Sequence, residues 1–352
     1  MMPKVSLIMP VYNACKTLDY SVNSVFGQTF DDFEFIAVDD GSIDNSLIKL
    51  EKLKRDSRID FRIFHKENGG AASARKFGLD NANGDFIGFI DSDDFIDRDY
   101  LERLYDTLVF TDTNICSSRM AFHFSNFLLK SIPFKDRKRE LVYDASIEKK
   151  IVPIMNVVTN GKLYRRDYID ITDKKFGANE DLSINYFLYA RARKVSFASD
   201  VTYHYMPNSE GLVSKNISGY AWDKIKNTLL PLSELKHNFE VGGLFDEYYR
   251  EIEQLFIKNV FQRTSYIMSN LKNVEEKELL VNTLYDFITY HFSNWRENQY
   301  LLSHFRDFEI PDMMSFFQNK LMVNRYVSTC YNCVDDIYNK YSEVSSKVLT
   351  KK

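Results

Sequence analysis

Cysteine is scarce: Cys15, Cys116, Cys330 and Cys333 are the four in 352 residues. Their spacing gives no disulfide framework, and Cys330-x-x-Cys333 has no second pair to complete a zinc or redox motif. Free thiols in a reducing cytosol are therefore expected. No apolar run approaches the length of about 20 residues that crosses a bilayer. Val5 to Val11 is apolar, but it is short, contains Pro10 and ends without a cleavage site, so it reads as a first strand rather than a secretion signal. An excess of positive charge is also missing. The formal net charge is −4, which argues against nucleic acid as a partner, since that needs a basic face. The expected location is cytoplasmic, with peripheral attachment at the inner face of the cell membrane as an option.

Aromatic residues, by contrast, make up 15% of the chain; most are expected in the core, although such rings can also stack on bases and sugars. In the first hundred residues strand and helix alternate. Val5–Met9 reads as a strand, Thr17–Phe26 as a helix with Leu18, Val22 and Val25 on one face, Phe33–Val38 as a second strand, and a helix starts near Asp44. Phe61–Phe64 is a third strand, Asn68-Gly69-Gly70 a turn, Ala71–Leu79 a short helix, and Phe86–Ile90 a fourth strand. This order predicts an α/β fold with a mostly parallel sheet flanked by helices, and such sheets bind ligands beyond the carboxyl ends of their strands.

Several residues stand at those ends. Asp91, Asp93 and Asp94 come directly after the fourth strand, and crowded carboxylates repel one another unless a cation or a donor-rich ligand sits among them. Hard oxygen ligands suit Mg²⁺ or Mn²⁺, which commonly share their shell with substrate phosphates. Pro10 and Tyr12 come after the first strand, and Asp39 after the second. The crevice suits a nucleoside diphosphate: Tyr12 can pack against a flat base, Asp39 can accept the imide N–H of uracil, the Gly69-Gly70 backbone can approach the ligand, and Arg75 can pair with a phosphate. Each residue also has a plainer reading. Tyr12 could be a packing aromatic, Arg75 a solvated helix charge, Asp39 and Asp40 turn residues before Gly41, and the acidic triplet a solvated cap on the next helix.

Four segments in this order, Val5-Ser6-Leu7-Ile8-Met9-Pro10-Val11-Tyr12-Asn13, Ala37-Val38-Asp39-Asp40-Gly41-Ser42, Asn68-Gly69-Gly70 with Ser73-Ala74-Arg75, and Gly84-Asp85 through Asp94, resemble the glycosyltransferases of family two, which have the GT-A fold. The resemblance covers roughly the first two hundred residues. It implies a sugar-nucleotide donor, most often a UDP-sugar, and direct inversion at the anomeric carbon. Donor contacts are implied for Pro10, Tyr12, Asp39, Asn68, Gly70, Arg75, Asp91 and Ser92. Metal contacts to Mn²⁺ or Mg²⁺ are implied for Asp93 and Asp91, with His204 a further candidate. The family also places a general base in an acidic pair that opens a later helix. Asn179-Glu180-Asp181-Leu182 fits that pattern, with Asp181 the first choice and Glu180 the second; both could instead complement the helix dipole.

Asn160-Gly161-Lys162-Leu163-Tyr164 resembles an acceptor-side segment, and Thr202-Tyr203-His204-Tyr205 a closing strand in which Met206 stands where arginine is common. Ser209 and Ser214 lie in a stretch suited to a lid. The Gln-x-x-Arg-Trp motif of processive synthases is absent, the only tryptophans being Trp222 and Trp295, so transfer of one sugar per encounter is expected. From about Tyr220 the strand signal gives way to helices near Leu244–Met268, Glu275–Phe292 and Met322–Tyr341. The domains are thus expected at 1–215, with a nucleotide-sugar part to about 98 and an acceptor part to 215, and at 216–352 as a small all-helical domain. The function expected is transfer of a hexose or N-acetylhexosamine to a hydroxyl of a growing glycan, on a glycosylated protein or a lipid-linked acceptor. The helical part offers a surface for homo-oligomers. Two other readings stand beside this one: a silent binding subunit, and a nucleotidyltransferase, which usually has a Gly-rich basic loop where Pro10-Val11-Tyr12-Asn13 stands here.

Overall fold

The computed structural model describes residues 2–124, 127–131, 142–169, 180–207, 221–270 and 274–298. Ser209, Ser214, Cys330, Cys333 and the helix expected at Met322–Tyr341 lie outside them.

The strands are β1 (Val5–Val11), β2 (Phe33–Asp39), β3 (Asp60–His65), β4 (Phe86–Phe89), β5 (Phe95–Ile96), β6 (Ile115–Phe124), β7 (Phe127–Ser131), β8 (Val142–Asp144), β9 (Lys162–Arg165) and β10 (Lys194–Tyr205). They form one sheet in the order β3-β2-β1-β4-β9-β6-β10-β5, with β7 on β6 and β8 on β10. The four strands β3, β2, β1 and β4 run parallel. β9 then pairs antiparallel with both β4 and β6, and β6 is parallel to β10. The sheet is therefore mixed, with a parallel half and a mixed half meeting at β4 and β9.

All seven residues of β1 and of β2 are buried, as expected where helices cover both faces of a parallel sheet. Val5, Leu7 and Met9 share a core with Leu18, Val22 and Val25 of α1 (Leu18–Phe26). On the other face, α3 (Ala71–Asp80) lies against Ile8 and Val38 through Gly78. α2 (Ser46–Arg55) lies beside α1 against β2 and β3, and α4 (Tyr100–Thr111) packs on β6, β9 and β10 of the mixed half. Asp44 stands just ahead of α2, its side chain accepting the Ser46 backbone N–H at 2.9 Å. Pro10 costs the sheet little. Ile8 accepts the Ile90 N–H, and Pro10, two residues on, faces the same side beyond the last β1–β4 pair. At that point the ladder opens.

Further along the chain come α5 (Glu180–Ala192), α6 (Ala221–Val241), α7 (Tyr249–Asn270) and α8 (Val274–His291). One compact unit holds the sheet and comprises Met1–Ser218 with Pro231–Asp246, a stretch that the sequence reading gives to the helical part. In it, Phe239 of α6 packs edge-on against Phe187 of α5 at 5.4 Å, and the Asn238 side chain donates to the Ser183 carbonyl at 2.7 Å. The second unit comprises 219–230 and the residues from Glu247 on. Its described core is Ile252, Leu255 and Phe256 with Leu280, Leu284, Ile288 and Phe292. No helix among the described residues is long and apolar enough to cross a membrane.

A buried polar knot closes β4 onto β1. Glu34, wholly buried, accepts Ser6 Oγ at 2.7 Å and Arg62 at 2.8 Å, and Ser6 Oγ in turn accepts the Gly84 N–H at 2.8 Å. A Cβ at Gly84 would lie 2.6 Å from the Ser6 nitrogen and 2.7 Å from the Val5 carbonyl carbon. Both are backbone atoms in mid-sheet, with no side chain to swing away. Gly84→Ala is expected to destabilise the first unit by about 1–3 kcal/mol, measured by urea unfolding; an unchanged midpoint would mean that β1 and β4 can separate freely here.

Candidate active site

The carboxyl ends of β1, β2 and β4 bring Tyr12, Asp39 and Asp91–Asp94 to one edge of the sheet. Tyr12 stands half exposed just past β1, at 49%. Asp39 is fully buried; its Oδ2 accepts the His65 Nδ1–H at 2.6 Å, while its Oδ1 is buried and has no hydrogen-bond partner among the described residues. A buried carboxylate oxygen without a donor is costly, and an N–H ligand would satisfy it.

The neighbouring Asp40 does work that the sequence reading assigns only to turn chemistry. Its Oδ1 accepts the Gly69 N–H at 2.9 Å and Lys66 Nζ at 2.6 Å, and its Oδ2 accepts the Gly70 N–H at 2.7 Å. Asn68 donates to the Asp40 carbonyl at 3.0 Å. One carboxylate thus shapes the glycine turn that opens α3, and Gly70 takes φ +91°, which favours glycine.

Each carboxylate of the acidic turn has its own environment. Asp91 Oδ1 accepts Arg75 at 2.8 Å and Oδ2 accepts the Asn160 amide at 2.6 Å. Arg75, 6% exposed, is thus a buried partner of Asp91, not a solvated charge. Asp94 is buried, accepting the Tyr203 hydroxyl at 2.6 Å and the Met206 N–H at 2.8 Å. Burial and the charges of Asp91 and Asp93 hold its carboxyl well above the usual carboxylate range. Asp93 and Ser92 are only partly buried. The same concentration of negative charge acts on the tyrosines around it. Burial, then the charges of Asp93 and Asp94, push Tyr20 up to about 12, and burial with the charges of Asp94, Asp93 and Asp91 does the same to Tyr205.

His204 does not face this turn with a spare nitrogen. Its Nε2–H donates to Asp97 at 2.8 Å, its Nδ1 lies 2.8 Å from His123 Nε2, and its ring stacks on Phe95 at 4.2 Å. Both ring nitrogens are engaged within the protein. Among the described residues no group of three or more His, Cys, Asp or Glu side chains is gathered as a metal cage. The donor set fits a Mg²⁺ or Mn²⁺ ion of another kind, held by one or two carboxylates and completed by phosphate oxygens and water. Asp93, at the partly exposed lip of the turn, is the carboxylate best placed for that, beside Asp91.

Asp181 lies in the first turn of α5, and Glu180 is that helix's first residue. Thr159 Oγ1 donates to Asp181 Oδ1. Lys162, 1% exposed, lies nearby, its ammonium donating to the Val158 carbonyl. Burial pushes Lys162 down to about 7, against the opposing pull of the Asp181 charge.

Comparison with known proteins gives this arrangement its family. The sequence pattern of Glycosyl transferase family 2 matches residues 6–171. EpsH of Bacillus subtilis (strain 168), which carries a glycosyltransferase name, is 31% identical over 267 residues, covering 72% of this chain and 74% of its own. The chain belongs to glycosyltransferase family 2. It is also 32% identical over 213 residues to glycosyltransferase GlyA of Streptococcus pneumoniae, matching 57% of this chain but 30% of GlyA. Among solved structures, S. aureus TarS 1–349 in complex with UDP-GlcNAc superposes with a TM-score of 0.65 at 20% identity, over 95% of this chain and 92% of that one. The mannosyltransferase PcManGT of Pyrobaculum calidifontis, in complex with GDP-Man and Mn²⁺, gives 0.52 at 14% identity over 97% and 88%. These likenesses establish the GT-A fold, and with the family they make the chain a glycosyltransferase.

Lys162 gives the site a pH signature in stability. Its folded pKa lies below that of the unfolded chain, so between about pH 7 and about pH 10 the unfolded state binds more protons, and folding becomes more favourable as pH rises. Below pH 7 the lysine is charged in both states and adds no slope. Relative to Lys162→Met, the wild type is expected to gain up to about 1.4 kcal/mol per pH unit across that window, read from urea unfolding at pH 7, 8 and 9. Parallel curves for the two proteins would refute it.

Proposed function

We propose that this glycosyltransferase moves a hexose or N-acetylhexosamine from a UDP-sugar to a hydroxyl of a growing glycan, such as a capsule, lipopolysaccharide, wall polymer or glycoprotein glycan, with inversion at the anomeric carbon. The observation that carries the donor reading is the buried, unpartnered Oδ1 of Asp39. It offers an acceptor where the base would lie, and uracil has the imide N–H to meet it; adenine has none. Tyr12, half exposed beside it, supplies a face for stacking. The TarS complex with UDP-GlcNAc and the PcManGT complex with Mn²⁺ support a UDP-sugar and a divalent ion here by analogy of fold.

The work is divided among the chain's own residues. Asp40 keeps the glycine turn in the form that lets backbone approach the diphosphate. Arg75 and Asn160 fix Asp91 so that its carboxylate does not swing. Asp93, with Asp91, would hold a Mg²⁺ or Mn²⁺ ion, whose chemistry would be to neutralise negative charge on a diphosphate. Asp181 takes the proton from the acceptor hydroxyl as it attacks. The helical unit offers a surface for acceptor docking or self-association.

UDP release from a panel of UDP- and GDP-sugars, with Mn²⁺ and with EDTA, tests the reading. Metal-dependent release from a UDP-sugar is expected. Release of pyrophosphate, or preference for a GDP-sugar, would overturn the donor assignment. Asp39→Ala is expected to weaken UDP binding roughly tenfold or more, the loss of a hydrogen bond to a charged group. Asp93→Ala should abolish the difference in UDP affinity between Mn²⁺ and EDTA in calorimetry. Asp181→Asn should bind UDP normally and lose roughly 10²-fold or more in turnover; near-normal turnover would move the base to Glu180 or elsewhere.

A further inference from the structure

The hydrogen bonds around Asp181 have a direction that can be worked out atom by atom. The Asp181 backbone carbonyl can only accept, so the Asn185 side-chain atom 3.2 Å from it is the amide nitrogen. That nitrogen also lies 3.0 Å from Thr159 Oγ1. The amide oxygen on the other branch accepts the Tyr164 hydroxyl at 3.0 Å. Thr159 Oγ1 therefore accepts from Asn185, and its single proton is directed to Asp181 Oδ1. Tyr164, Asn185 and Thr159 are 0%, 1% and 6% exposed, so water does not compete for these bonds. Among the described residues Asp181 Oδ2 has no hydrogen-bond partner. The residue after Thr159, Asn160, reaches the other way to Asp91.

We propose that Thr159 is a positioning residue for the transfer reaction: its hydroxyl holds the Asp181 carboxylate by Oδ1 and reserves Oδ2 for the acceptor proton, while the adjoining Asn160 sets the base against the donor-side Asp91. The proposal rests on the reading of Asp181 as base. It assigns a role to a threonine that touches neither donor nor acceptor. A carboxylate pinned at one oxygen cannot rotate out of line with the attacking hydroxyl, and small misalignments are expensive in catalysis.

The test compares Thr159→Val, which keeps the shape and removes the hydroxyl, with Thr159→Ser, which keeps the hydroxyl. UDP release is measured for the UDP-sugar turned over fastest in the panel, and UDP binding by calorimetry. Thr159→Val is expected to lower kcat roughly 10- to 100-fold and to leave UDP affinity unchanged. Thr159→Ser should restore kcat. Wild-type kcat in Thr159→Val, or a serine variant as slow as the valine one, would overturn the proposal. If Thr159→Val fails to bind UDP, Thr159→Ala takes its place in the same comparison. Asp181→Asn is measured in parallel. Normal turnover there removes the base reading itself, whereas a dead Asp181→Asn beside a normal Thr159→Val removes only the role of Thr159.

Discussion

The double grip on Asp91 is the constraint around which the catalytic unit is arranged. Arg75 comes from α3, which covers one face of the parallel half, and Asn160 comes from the turn that enters β9, the first antiparallel strand. One carboxylate therefore ties the parallel half of the sheet to the mixed half at the point where β4 ends. The cost of confining that charge is met by a guanidinium and an amide, the geometry in which a partly buried carboxylate is stable. With either partner removed, the Asp91 carboxylate would keep one of its two side-chain partners beside Asp93 and Asp94.

Around that fixed point the remaining carboxylates are separated by environment. Asp94 is buried and turned to Tyr203 and Met206, so it joins the acidic turn to the end of β10. Asp93 remains at the lip. Burial first, and then the shared negative charge of the turn, raises Asp94, Tyr20 and Tyr205 together. Like-charge crowding of this kind at the end of a buried strand is a cost to folding, and functional sites are where such costs are retained.

The parallel half was legible in the residues because its strands are buried on both faces and read as continuous apolar runs; Val5–Met9, Phe33–Val38 and Phe86–Ile90 need no long-range information. The mixed half was not. β10 changes register between Ala198 and Thr202, which breaks any simple alternation, and β6 pairs with strands far along the chain. Helix α6 carries Pro231 in its interior, which disrupts the helical pattern that would have announced it. Among site residues, adjacency set the limit. Asp39 and Asp40 are neighbours, and sequence does not show that Asp39 bonds His65 while Asp40, through Lys66, Gly69 and Gly70, shapes the glycine turn. His204 looked available because Asp97 and His123, far apart in the chain, converge on it only once β5, β6 and β10 lie side by side.

The turn before β9 obeys the same logic at shorter range. Thr159 and Asn160 are consecutive, and their side chains part toward Asp181 and Asp91. That divergence depends on the next two residues. Gly161 takes φ +75°, and a Cβ there would lie 2.8 Å from Met120 Sδ, so glycine fits both the left-handed backbone and the close approach. Its carbonyl is fixed by the Ser118 N–H at 2.8 Å. Lys162 then folds its ammonium back to the Val158 carbonyl, closing the turn from within. Burial works against the Lys162 charge, and the Asp181 charge offsets part of that cost. The segment from Val158 to Lys162 thus fastens the start of α5, through Thr159, to the acidic turn, through Asn160.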